Sequence, residues 1–214
     1  MKVASPNRAE SKDQKDQYHH GDLKNALIEA AEGLLEEKGA KEFSLRECAR
    51  RVGVTPTAVA HHFGNASGLV TAVAAVSFAE FAKLLRAALK RSVHNDSDSL
   101  EAICEAYLRF AERKPARYRV MFSDGIRDRS NADYNAAWLD AFEILLNTVK
   151  VRLGNVETED AWARALSIWS ALHGFATLEN ARKLDFLKAP LRSETDADLR
   201  RKFLKSLLTP ERSQ

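Results

Sequence analysis

The side chains best suited to chemistry in this sequence are two histidine pairs (His19-His20 and His61-His62), two cysteines (Cys48 and Cys104) and the spaced pair Trp169 and His173. Adjacent histidines project to different sides of a helix. No carboxylate or cysteine completes either pair at ligand spacing, so no metal site is expected. The cysteines lie far apart with no C-x-x-C spacing and read as free thiols of a reducing compartment. Cys48 falls on the inner face of a short helix, which favours a packed thiol over a redox switch. No nucleophile–base pair and no glycine-rich phosphate loop occurs, so neither catalysis nor a cofactor is expected. Trp169 and His173 are four residues apart and share one side of a helix. They either border a pocket or belong to a hydrogen-bonded core. Cys104 shares a helix with Tyr107, Leu108 and Phe110, where it lines a cavity or fills the core. Most of Phe110, Phe122, Trp138, Phe142, Trp162, Trp169 and Phe175 are core residues, and a minority border an apolar ligand site. The candidate ligand set is Cys104, Tyr107, Phe122, Trp138, Phe142, Trp169 and His173.

A second chemistry lies in residues 44–63, SLRECARRVGVTPTAVAHHF. Ser44 and Glu47 have the spacing of a capping box. Leu45, Cys48, Ala49 and Val52 form the inner face of a short helix, and Gly53 supplies a turn. Thr55 caps a second helix, with Pro56 at its first position, where a missing N–H costs nothing. Val59 and Phe63 point inward, which leaves Thr57, Ala58, His61 and His62 outside. Two short helices at a steep angle can place the second in a DNA major groove. On spacing alone, a helical hairpin inside an ordinary bundle fits equally well.

The elements around these residues are helical throughout. The chain has 214 residues, 45% hydrophobic and 29% charged, with a net charge of +3. That length suits one large or two smaller domains, and the charge is too small to indicate nucleic acid by itself. No apolar run long enough for a membrane span and no apolar signal core is read, so a cytoplasmic protein without membrane contact is expected. Residues 1–18 are polar and mixed in charge and read as a disordered arm. Helical spacing starts near Asp22 as N-cap and closes at Gly39. Further helices are predicted from about Leu69 to Ser92, Leu100 to Arg113, 116 to 122, Ala132 to Leu153, Thr158 to Lys183 and Asp196 to Leu208. No alternating strand of useful length is found. The fold class is all-α, with a three-helix N-terminal domain over 19–65 and a larger helical domain over 66–214.

Residues 18–74 resemble the N-terminal domain of the TetR family of transcriptional regulators. The order is specific: amphipathic helix, Gly39, Phe43-Ser44-Leu45-Arg46, Ala49 with Gly53-Val54, then His62-Phe63 and a leucine. Trp169-Ser170-Ala171-Leu172-His173-Gly174-Phe175 is similar to a Trp–His–Gly signature found in one subgroup of that family.

The resemblance implies a homodimeric regulator, of repressor type, that binds a palindromic operator in double-stranded DNA. A small molecule entering the C-terminal domain would release it. By position, Ser44 would cap its helix beside a phosphate and Arg46 would reach a base edge, most naturally guanine. Thr55, Pro56, Thr57 and Ala58 would open the recognition helix, and His61 and His62 would touch phosphates or bases. Two positions depart from the family: Ala60 replaces a usual tyrosine and Ala66 a frequent lysine, both phosphate anchors. The dimer surface is expected on the last two long helices, from Trp162, Ala165, Leu166, Trp169, Leu172 and Phe175 with Leu199, Phe203 and Leu207. The rival classes are an enzyme, which the absences above disfavour, and a helical protein–protein adaptor that does not bind DNA. The adaptor would have no need of the Phe43–Arg46 start or the proline-opened helix.

Overall fold

The computed structural model describes residues 10–39, 42–94, 98–122, 128, 130–154 and 159–209, with side chains described for all of these but 10–22, 93 and 94. Among the described residues the regular structure is helical and contains no strand. In chain order the helices are α1 (Glu10–Lys38), α2 (Leu45–Val52), α3 (Pro56–Phe63), α4 (Ala66–His94), α5 (Ser99–Arg113), α6 (Pro115–Phe122), α7 (Ala132–Arg152), α8 (Glu159–Asn180) and α9 (Asp196–Leu208). The chain divides into two compact units, Met1–Val73 with Ser123–Asp128, and Ala74–Phe122 with Arg129–Gln214. The division therefore falls within α4 rather than at residues 65 and 66.

In the first unit, α2 packs against α1 and α3. Leu27, Ala31, Leu34 and Leu35 of α1 are buried at helical spacing, and Cys48, Ala49 and Val59 meet them from the short helices. Gly53 ends α2 in the left-handed region, at φ 78° and ψ 28°, a conformation that a Cβ disfavours. The chain can then restart as α3 three residues later, at Pro56.

Two local expectations need correction. The helix does not begin at Asp22: α1 starts at Glu10, so Asp22 is no cap, and residues 10–18 of the expected arm are helical. Residues 1–9 of that arm lie outside the described residues. Glu10, Lys12, Gln14, Lys15 and Gln17 are fair helix formers, and a helix nucleated by the packed half of α1 extends through them by adding one bond per residue. The capping box is also absent. Ser44 is the N-cap with extended backbone, but its side chain makes no capping bond. Glu47 turns instead to Arg50, with Nε–Oε2 at 2.9 Å and Nη2–Oε1 at 2.8 Å. A charge-assisted bidentate pair outcompetes a bond to a neutral backbone N–H.

In the second unit, α5 packs against α6, α7, α8 and α9. Ile103, Cys104, Tyr107, Leu108 and Ala111 form its buried face, and Asp98 caps it by accepting from the N–H groups of Leu100 and Glu101. Pro115 opens α6, where the proline needs no partner. By length and composition α4 could cross a membrane, with a mean hydropathy of 1.6 over an 18-residue stretch within Ala66–Ser92, contrary to the reading that no run is long enough. Many of its apolar residues are core instead: Val73, Phe78, Phe81, Ala82 and Leu85 are all buried, although Val76 and Leu84 are exposed.

Candidate nucleic-acid interface and ligand cavity

The first site is built on α2 and α3. Thr55 caps α3 by accepting the Ala58 N–H at 3.2 Å, and Pro56 occupies the first turn. Val59 is fully buried and anchors α3, while Phe63 is only half-buried. Thr55, Pro56, Thr57 and His61 are exposed, and Ala58, Ala60 and His62 are half-exposed. The rings of His61 and His62 meet edge-on at 5.7 Å. The side chains of His19 and His20 lie outside those described.

The arginines of α2 divide into two kinds. Arg50 is held by Glu47. Arg51 reaches back to Glu37 on α1, with Nη1–Oε1 at 2.8 Å and Nη2 on Oε2, and its Nε lies 3.6 Å from Glu47. These arginines hold both carboxyls below the ordinary value: Arg50 first for Glu47, to about 2, and Arg51 first for Glu37. Arg46 is exposed and, among the described residues, has no acid partner. On α2 it is therefore the arginine whose charge remains available to an anion outside the chain.

The second site is a cavity of about 30 Å³ inside the second unit. Of the expected ligand residues, Tyr107, Phe122, Trp138, Phe142 and Trp169 line it, and Phe78, Phe81 and Leu85 of α4 join them. Trp138 and Phe142 stack at 5.9 Å with planes 3° apart, and Trp169 stands edge-on to both. His173 borders the lining, its ring 4.6 Å from Phe122. Tyr118, which sequence reasoning missed, meets His173 Nδ1 at 2.7 Å and Tyr107 Oη at 3.2 Å. Its signal was its place four residues before Phe122, on the same side of α6. Burial lowers the His173 pKa and raises those of both tyrosines, so the trio is uncharged at neutral pH.

Cys104 is fully buried on α5 and does not line the cavity. Desolvation pushes its thiol up to about 12, and that of Cys48 to about 11. Neither thiol should react with a disulfide reagent at about pH 8 in the native protein, although an ordinary thiol of pKa about 8.5 does so readily. Both should react once the chain is unfolded. Rapid native labelling of either would show that its burial is transient.

On α8, Ala165 and Leu172 are buried in the unit's own core, so the expected dimer stripe is not one face. Trp162 and Leu166, one turn apart on the same side, are 48% and 53% exposed, and Leu178 on another side is 47% exposed. On α9, Leu199 is buried, and Phe203 stacks on Phe175 at 4.3 Å.

Two family models match the chain. One describes bacterial regulatory proteins of the tetR family and covers residues 27–73. The other describes the tetracyclin repressor-like C-terminal domain and covers residues 100–200. No curated protein matches the chain in sequence. Among solved structures, a candidate regulatory protein, SCO4313, is 23% identical, with 91% of this chain and 98% of that chain covered and a TM-score of 0.72. A protein of unknown function from Rhodococcus sp. RHA1 is 26% identical, with 90% and 98% covered and a TM-score of 0.67. A TetR-family transcriptional regulator from Streptomyces coelicolor is 19% identical, with 87% and 97% covered and a TM-score of 0.56. The capped helix pair with its free Arg46 lies inside the first matched segment and the aromatic cavity reaches into the second; the chain belongs to the TetR family of DNA-binding transcriptional regulators, not to a class of enzymes.

Proposed function

We propose that the chain is a cytoplasmic repressor that binds a palindromic operator as a homodimer and leaves it when a small molecule enters the second unit. The free Arg46 carries the DNA part of this reading. A guanidinium without an internal acid partner, beside a proline-opened helix with exposed Thr57 and His61, suits a guanine edge flanked by phosphates. Ser44, Thr55, Pro56, Ala58 and His62 complete the contact surface, and a two-fold operator follows from two copies of it. Selection of bound fragments from genomic DNA tests the reading. Recovery of sites with two inverted half-sites supports it, and recovery of no enriched sequence contradicts it.

The dimer surface is the outward apolar pair Trp162 and Leu166 on α8, one turn apart. Exposed apolar patches of this kind mark interaction sites, and a second copy offers the self-complementary match. Leu166→Glu should leave helicity intact and shift light scattering from dimer to monomer at micromolar concentration. A wild-type monomer in the same measurement would overturn the surface. The spacing of Trp169, His173 and Gly174 supports membership of the Trp–His–Gly subgroup, with Trp169 and His173 proposed at the effector site.

A further inference from the structure

The aromatic cavity also carries information about what enters it. Its volume of about 30 Å³ holds no more than a water, so any effector must part its walls. Trp138, Phe142 and Trp169 are half-exposed, while Phe78 and Phe81 behind them are buried. Trp138 and Phe142 can therefore swing outward, whereas Trp169 is held by a side-chain hydrogen bond to the buried Tyr107 and the floor cannot move. A guest replacing the stacked contact of Trp138 on Phe142 must itself offer flat faces. Among the described residues the walls carry no charged side chain. A charged guest would lose its hydration there with no counter-ion, and a cation would have only ring faces in return. Beside the lining, next to Phe122, Tyr118 and Tyr107 both address Nδ1 of His173. Among the described residues, Nε2 of the same ring has no hydrogen-bond partner. With Tyr118 donating to Nδ1, the ring proton sits on Nε2 and leaves a neutral donor free for an acceptor oxygen.

We propose that the effector is an uncharged, flat, mainly apolar molecule with one hydroxyl or carbonyl oxygen at its end, the flat body between Trp138, Phe142 and Trp169 and the oxygen on His173 Nε2. The inference rests on the reading of the second unit as an effector domain. Burial keeps His173 neutral, in line with an uncharged guest.

Four bicyclic probes of one shape test it on the full chain by calorimetry near neutral pH: 2-naphthol, naphthalene, 2-naphthoate and 2-naphthylmethylammonium. 2-Naphthol is expected to bind at least tenfold tighter than either ion and several-fold tighter than naphthalene. His173→Phe should erase the preference for 2-naphthol over naphthalene and leave naphthalene affinity within about threefold; a tenfold change is about 1.4 kcal/mol. Trp169→Phe keeps a flat wall and should retain the order of the four probes, so a misfolded His173 variant does not leave the order untested. An ion binding as tightly as 2-naphthol, or no probe binding at all, overturns the proposed class. Unchanged discrimination in a folded His173→Phe overturns the role of Nε2. A gel shift run alongside separates the two readings. If 2-naphthol binds in the expected order without loosening the protein from its DNA, the ligand class stands and the effector reading falls.

Discussion

Arg200→Met is expected to destabilise the fold by about 3–5 kcal/mol, the usual loss when one partner of a buried ion pair is removed. Arg200 on α9 is 9% exposed. Its Nε donates to Glu179 Oε1 at 2.7 Å and its Nη1 to Glu112 Oε2 at 2.6 Å, which ties α9 to α8 and α5. Glu112 is exposed and can hydrate when the arginine is gone. Glu179 cannot, since its side chain is 11% exposed and its Oε2 already lacks a partner among the described residues. The acidity of the two carboxyls gives the pH dependence. Burial raises Glu179 above 4.5 even with Arg200 lowering it. The folded state therefore binds more protons than the unfolded state between 4.5 and the raised value, and this group's contribution falls as pH rises through that window. Losing Arg200 raises Glu179 further. Glu112 is lowered, chiefly by Arg200, so its stabilisation is full above 4.5 and is lost as pH falls through the lowered value. Both effects make the deficit of Arg200→Met largest at neutral pH and smaller toward pH 4. Urea unfolding at the two pH values measures this, and Glu179→Gln in the same chain should restore part of the loss. A pH-independent deficit, or one below about 1 kcal/mol, would mean that water reaches Glu179 in solution.

Most of the fold was legible in the sequence because its helices announce themselves twice, by apolar spacing and by their ends. Asp98, Thr55 with Pro56, and Gly53 end or begin helices with the geometry that their chemistry favours. The first turns of α1 were not legible, because a helix without an apolar stripe leaves no periodic trace. The Ser44–Glu47 motif misled for a related reason. Its spacing was right, but Arg50 and Arg51 compete for the same carboxylate, and a motif read in isolation omits its competitors. Tyr107, Phe122, Trp138, Phe142 and Trp169 of the expected set line the cavity, and Phe78, Phe81 and Leu85 of α4, which the sequence reading did not single out, join them. The apolar residues of α8 were read together as the dimer surface, yet Ala165 and Leu172 turn inward while Trp162 and Leu166 turn outward. Spacing defines sides of a helix, and only the neighbours decide which side is covered.

Arg46→Ala is expected to weaken specific DNA binding by about 1–3 kcal/mol at each half-site, the value of a bidentate base contact, and a dimer engages two half-sites. The expectation follows from how the α2 arginines are spent. Arg50 and Arg51 already satisfy Glu47 and Glu37, so a base edge would have to compete with internal carboxylates for them. Arg46 has no such competitor among the described residues. Arg50→Ala should therefore change affinity far less than Arg46→Ala. The Arg46 loss should also fall at one operator position per half-site, since a base contact specifies sequence and a phosphate contact does not. Ala60→Tyr provides the opposite pattern. A phenol at this half-exposed position of α3 can donate to a phosphate oxygen, a neutral bond that contributes about 0.5–1.5 kcal/mol net. It should tighten operator and unrelated duplex alike, with an almost constant salt slope because tyrosine displaces no counter-ion. Fluorescence anisotropy with the selected operator, its single-base variants and random duplex at two salt concentrations reads all three substitutions. Equal weakening by Arg46→Ala on every duplex would turn Arg46 into a phosphate contact. An Ala60→Tyr protein no tighter on either duplex would mean that α3 meets the groove with another face.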